Sequence, residues 1–240
     1  MRLDKLLEHE NFGSRKKVKR LIRSKKVKID GKVVTCENQN VDAQLQEITV
    51  EDTVITQKTH EYFMLNKPQG VVTAVHDKDH QTVVDLIKEE DYRQKLYPVG
   101  RLDRDTEGLL LITDNGQLGY QLLLPHKNVT KRYEVIVNER LNDEDVKSFQ
   151  EGIVFHGGEC CKPAVLSILS TSDNESRAYL DIDEGKFHQV KKMFLSVGKK
   201  VTFLKRLKMG PIELDQQLKP GEYRRLTPKE LETLLPYFYK

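Results

Sequence analysis

The chain has 240 residues, 38% hydrophobic and 32% charged, with 40 Lys and Arg against 37 Asp and Glu for a formal net charge of +3. That is enough apolar material for one large domain or two modest ones, but no uninterrupted apolar run exceeds four residues; a membrane helix needs about 20 and a secretory signal about 7–15, so neither is expected. The three cysteines, Cys36, Cys160 and Cys161, supply neither a disulfide framework nor a spaced metal clamp, and a reduced, cytoplasmic setting follows.

The charge is unevenly spread. Residues 1–35 hold 12 basic and 4 acidic side chains, a balance of +8 that leaves −5 for the rest of the chain. Leu3, Leu6 and Leu7 fall at i, i+3 and i+4 and predict a short amphipathic helix. Ser14 is placed to cap a second helix, with Val18, Leu21 and Ile22 inward and Arg15, Lys16, Lys19, Arg20 and Arg23 largely outward. Lys25 and Lys26 lead into the alternating Val27 and Ile29 and an Asp30-Gly31 turn, the signature of a hairpin. Together with Arg2, these cations form a face suited to phosphates and an irregular RNA surface, though one without a sequence code. The plain alternative is a solvated basic surface. Val41, Leu45, Ile48 and Val50 complete this small first domain, residues 1–58, and a linker is expected near 56–61.

From residue 61 to 238 the pattern mixes helix and strand. Tyr62–Leu65 and Val71–Val75 read as strand pieces around a Lys-Pro-X-Gly turn, and Thr82–Lys88 as a short helix. Gly108–Thr113, Arg132–Val137 and Ala178–Asp183 read as strands. Asn115–Leu124, Asn142–Gln150 and His188–Val197 read as helices, the last with Val190, Met193, Phe194 and Val197 as its apolar stripe. Thr227-Pro-Lys-Glu230 combines a capping box with a first-turn proline and opens a final helix through Leu234 or Leu235.

Phosphate loops, dinucleotide turns, zinc-ligand spacings and a serine nucleophile elbow are all missing, which argues against an ATPase, a dehydrogenase, a metallohydrolase or a serine hydrolase. Three polar islands with apolar flanks remain: Asn66–Gly70, Gly100–Gly108 and Glu184–Met193. Charges so close to buried segments need partners, because desolvating an unpaired charge is costly. Asp103, facing Lys191 or Arg101, would serve as a nucleophile or electrostatic catalyst. By residue type alone it fits a surface ion pair with Arg101 or Arg104 equally well. Asp105 and Glu107 read as local structure, and Cys160-Cys161 as inert.

Taken in order, KPxG, GRLDxxTxGLLL, KxY and GxxHQVKKM, behind the basic head, resemble the RsuA-like family of bacterial pseudouridine synthases, which join an S4 RNA-binding domain to a catalytic domain. The match spans essentially the whole chain. It implies an α+β protein: a small N-terminal S4-like domain, then a mixed catalytic domain around a central, largely antiparallel sheet. It assigns Asp103 as the essential carboxylate and Lys191 as its basic partner. Tyr133 becomes the tyrosine that stacks on the target base, and Arg101 the residue entering the space of the flipped uridine. Lys67, Pro68 and Gly70 match a turn supporting the site floor, with Lys67 counted among the substrate-binding residues. Lys186, His188 and Gln189 would contact RNA at a strand-to-helix entry; Lys186 stands where the branch often has Arg, which keeps charge but loses bidentate geometry.

The implied activity is cofactor-free and metal-free isomerisation of a uridine in ribosomal RNA. A length ending at Lys240 without a basic extension points to uridine 516 of 16S rRNA, in a small-subunit assembly intermediate. A 23S rRNA enzyme of the same branch and a non-catalytic rRNA-binding or assembly protein are the alternatives. A monomer away from membranes is expected.

Overall fold

The computed structural model describes residues 1–238, so the terminal Lys240 invoked above lies outside the described residues. The basic head is built from α1 (Leu3–His9), α2 (Arg15–Arg23) and an antiparallel sheet in the order β2-β1-β3-β4, with β1 Val27–Ile29, β2 Lys32–Val33, β3 Ile48–Val50 and β4 Thr53–Ile55. Leu3, Leu6, Leu7, Val18, Ile22, Val27, Val41 and Ile48 form its buried core. The leucine spacing thus gives a helix because it aligns one apolar stripe against α2. Ser14 sits at the start of α2, but its side chain makes no capping hydrogen bond.

The body is organised by a nine-stranded sheet in the order β13-β5-β7-β11-β8-β10-β9. These strands are β5 Tyr62–Lys67, β7 Glu107–Thr113, β8 Lys131–Val137, β9 Val165–Thr171, β10 Ser176–Ile182, β11 Val201–Met209 and β13 Tyr223–Arg225. Two short strands, β6 Tyr97–Val99 and β12 Ile212–Glu213, pair with β7 and β11. Every pairing is antiparallel except β7 with β11. At that parallel seam a Cβ on Gly108, whose φ is +103°, would stand 2.2 Å from the Arg206 carbonyl oxygen, so only glycine fits. One apolar cluster joins α4 (Asp143–Glu151) and α5 (Gln189–Ser196) to the sheet; a second joins α3 (Gly116–Leu123) and α6 (Pro228–Phe238).

The predicted helices with strong caps are present. Asn115 accepts from the Gln117 and Leu118 amides, Asn142 and Asp145 form a capping box, and Thr227 pairs with Glu230. Two expectations fail in the same place. Thr82–Lys88 is a series of turns and Val71–Val75 contributes only one bridge, Val72 with Thr82. Thr82 and Asp85 do exchange cap-like hydrogen bonds, but the Val83 amide donates to the Val72 carbonyl and the segment goes no further than the turn closed by the Ile87 amide on the Val84 carbonyl.

The connection at 56–61 is a joint rather than a loose tether. Asp42 is fully buried and receives hydrogen bonds from Thr59 Oγ1, Asn115 Nδ2 and the Tyr62 hydroxyl. Leu45, expected in the head's core, packs instead with Tyr62, Met64 and Leu118 of the body. No helix among the described residues is long and apolar enough to cross a membrane.

Candidate active site

A cavity of about 790 Å³ opens among the segment 100–106, the inward side chains of β8 and β11, the turn 182–188 and the start of α5. Asp103 stands in the first of these segments, immediately before β7. Its loop is gripped from beneath by the Asn66–Gly70 turn. Lys67 Nζ donates to the carbonyls of Pro68, Arg104 and Thr106 at 2.9, 3.3 and 2.9 Å. Gly70 and Arg104 exchange two more hydrogen bonds, and Thr73 Oγ1 donates to the Leu102 carbonyl at 2.6 Å. Lys67 is fully buried and does not line the cavity. The expected substrate contact is therefore corrected: its ammonium is consumed in fixing the backbone around Asp103. Burial pulls its pKa down to about 8, against the nearby carboxylates of Asp105 and Asp103.

The Asp103 carboxylate is partly open to the cavity. Lys191 Nζ lies 3.0 Å from its Oδ2 and 2.6 Å from Asp105 Oδ1. Partial burial lowers the lysine's proton affinity, but the hydrogen bonds it donates to Asp105 and Asp103 outweigh it and leave the pKa above the ordinary value. Asp105, read from sequence as local structure, is thus the second carboxylate on the same ammonium. His188 Nε2 is 3.5 Å from Asp103 Oδ1. His188 holds a left-handed backbone, φ 54°, at the entry to α5, and its ring stacks on exposed Phe187 with centroids 3.8 Å apart.

Tyr133 projects from β8 into the cavity wall, and Arg101 lines the mouth in an exposed position. Lys186 also lines the cavity, but its ammonium is tied to the Cys160 carbonyl at 2.7 Å and to Glu159 at 2.9 Å. Gln189 is buried: its Oε1 accepts from the Lys186 amide at 2.8 Å and its Nε2 donates to Glu184 at 2.7 Å. It also lines the cavity, so it braces the turn while keeping the position at the strand-to-helix entry expected from the sequence.

The head's cations divide into two groups. Arg2 makes a two-pronged contact with Asp4, Arg15 approaches the same carboxylate at 3.8 Å, Lys19 and Arg23 share Glu37, and Lys26 pairs with Glu51. Lys16, Arg20 and Lys25 are exposed and form no ion pair among the described residues.

Sequence reasoning passed over two cavity residues, Lys131 and Arg206. Lys131 belongs to the KxY motif, in which only the tyrosine carries an assigned role. Arg206 sits on the central strand β11, which was not foreseen because Lys205, Arg206 and Lys208 break its apolar alternation.

A carboxylate held against a lysine, open to a cavity of about 790 Å³ and beside a tyrosine, suits nucleophilic or proton-abstracting chemistry on a bound base. Residues 61–196 match the family model described as RNA pseudouridylate synthase, and residues 1–46 match the S4 domain. The chain is 46% identical to an uncharacterized RNA pseudouridine synthase of Bacillus subtilis, with 98% of each chain covered. It is 37% identical to the ribosomal small subunit pseudouridine synthase A of Escherichia coli, covering 98% of this chain and all of that one. A solved structure described as a pseudouridylate synthase shares 38% identity and superposes with a TM-score of 0.67, over 98% of this chain and 99% of that one.

Proposed function

The chain belongs to the RNA pseudouridylate synthase family, in the RsuA-type branch with an S4 domain ahead of the catalytic fold, and from that premise we propose that it isomerises uridine 516 of 16S rRNA with Asp103 as the reacting carboxylate. The observation that carries the residue assignment is the Asp103–Lys191 pair at 3.0 Å, open to the cavity and framed by Tyr133. Support for the small-subunit target is the run of relatives named for the ribosomal small subunit, matched end to end. In this reading residues 1–58 grip rRNA in an assembling small subunit and residues 61–238 carry the chemistry.

The uridine leaves its helix and enters the cavity, at a cost of about a few kcal/mol offset by stacking and phosphate contacts. Arg101 at the mouth occupies the vacated space and Tyr133 stacks on the base. Asp103 then works by one of two routes: its oxygen attacks C1′, or it takes the C2′ proton to give a glycal. Either route frees the uracil from C1′ inside the cavity. The ring turns, C5 bonds to C1′, and Tyr133 or a water removes the C5 proton. Lys191, shared with Asp105, holds the Asp103 oxygen in place and balances its charge. Lys186 and His188 border the turn where the RNA backbone would pass.

The test is incubation of the protein with 16S rRNA, free and assembled with small-subunit proteins, followed by carbodiimide labelling and primer extension. A single new stop at uridine 516, absent with Asp103→Asn, is expected. A stop only on 23S rRNA overturns the target, and a stop that persists in Asp103→Asn overturns the residue assignment.

A further inference from the structure

Two cations in the cavity form no ion pair among the described residues, although Asp183 and Glu184 line the same cavity and act on Lys131 from beyond contact. Lys131 and Tyr133 are two residues apart on β8 and face the same side of the sheet, and Arg206 on β11 is the cross-strand neighbour of Tyr133. Both cations line the cavity, with only 9% and 2% of their surfaces exposed. Lys131 Nζ donates to the Val129 carbonyl at 2.8 Å, and Arg206 Nε to the Leu109 carbonyl at 2.7 Å. One terminal nitrogen of Arg206 is buried with no hydrogen-bond partner, and neither cation forms an ion pair among the described residues.

An arginine does not shed its proton, and an unpaired buried charge is among the costliest features a fold can hold. Such an arrangement is explained by a ligand that supplies the missing acceptor. Arg101 and Arg104 are exposed at the mouth, where phosphates would be met, whereas the wall beside Tyr133 would face the base in the proposed reaction. Uracil is neutral on entry, so fixed cations act on it most strongly at one moment. When the N1–C1′ bond breaks, its electron pair stays with the ring and the charge spreads over N1, O2 and O4.

Resting on the pseudouridine synthase reading, we propose that Lys131 and Arg206 form an electrostatic cradle for the uracil anion released from C1′. The electron deficiency at C1′ is met by an Asp103 oxygen, or by the C2′–H pair with that proton passing to Asp103. The anion then turns within the cradle and C5 donates a pair to C1′. That step either expels the Asp103 oxygen or draws the proton back to C2′. Loss of the C5 proton and gain of one at N1 complete an isomerisation that needs no other reactant. The cradle's effect is specific to the transition state, where the negative charge develops.

The experiment is single-turnover kinetics with Lys131→Met on 16S rRNA and on the same RNA carrying 5-fluorouridine at the target, read as cleavage of the N1–C1′ bond. Removing one preorganised charge is expected to slow uridine cleavage about a hundredfold while RNA affinity stays unchanged. Fluorine withdraws electron density and stabilises the anion by itself, so the loss on 5-fluorouridine is expected to be clearly smaller. Burial, Arg206 and Lys162 favour loss of the Lys131 proton while Asp183 and Glu184 oppose it, leaving its pKa at about 8. The wild-type rate should therefore fall as pH rises through that value, and Lys131→Arg should remove the fall. Arg206→Lys, which keeps a cation but not the fork, gives an independent reading through the same fluorine comparison.

Wild-type rates in folded Lys131→Met and Arg206→Lys, or an equal loss on both bases with an unchanged pH profile, would overturn the cradle and leave the isomerase intact. Failure of the wild-type protein to make pseudouridine would overturn the isomerase reading and the cradle with it.

Discussion

On the head, Lys19 and Arg23 lie against Glu37 at 3.1 and 3.0 Å, with Arg23 largely in solvent. In the cavity, Lys131 and Arg206 are buried and have no such partner among the described residues. The residue types are the same and the physics is opposite. An exposed pair contributes about 1 kcal/mol or less and is screened by salt, so a phosphate can replace Glu37 at little cost. No single cation on the head should then be decisive. A buried cation is hardly screened at all, and each one acts individually on whatever occupies the cavity.

Three measurements sharpen that contrast beyond the tests above. Lys191→Met removes a cation that touches the reacting carboxylate, and single-turnover activity should drop about 10²- to 10³-fold with little change in RNA affinity. A comparable loss of affinity would make Lys191 an RNA-binding residue like those of the head.

Lys67→Met tests a buried cation with a structural task. It leaves three carbonyls around the Asp103 loop without their donor, and urea denaturation at pH 7 should show a loss of about 3 kcal/mol. The pH dependence follows in sign. Lys67 and Lys131 have pKa values of about 8 in the folded chain against 10.5 ordinarily. Between those values the unfolded chain binds more protons, so their contribution to stability is full above 10.5 and is lost as pH falls to about 8. Denaturation midpoints across that window should rise with pH, and less steeply in Lys67→Met.

The smallest effect belongs to the head. Lys16→Gln with Arg20→Gln removes two cations that form no ion pair among the described residues and should weaken RNA binding several-fold, lowering the salt slope by about 1 to 2. Lys19→Gln with Arg23→Gln should cost less, because Glu37 already neutralises part of that charge. A reversed order, measured by filter binding across a salt series, would show that Glu37 positions those side chains for RNA rather than competing with it.

Much of this was legible in one dimension. Helix stripes such as Leu3-Leu6-Leu7 and caps such as Thr227 with Glu230 act within a turn or two, so sequence spacing alone determines them. The polar islands also stood out, since Asp103 and Lys191 interrupt apolar flanks that would otherwise be buried. Chain order could not show that the Asn66–Gly70 turn grips the Asp103 loop from below, or that Asp105 shares Lys191. Those contacts join residues far apart in the chain, and their distances are set by the pairing of β5, β7, β8 and β11. Nor could it tell Lys67 and Arg206, which are buried, from Lys16 and Arg20, which are not. A lysine or arginine carries its charge in the sequence, but whether that charge meets water, a carboxylate or the wall of a cavity depends on its neighbours in space, and only the tertiary structure supplies them.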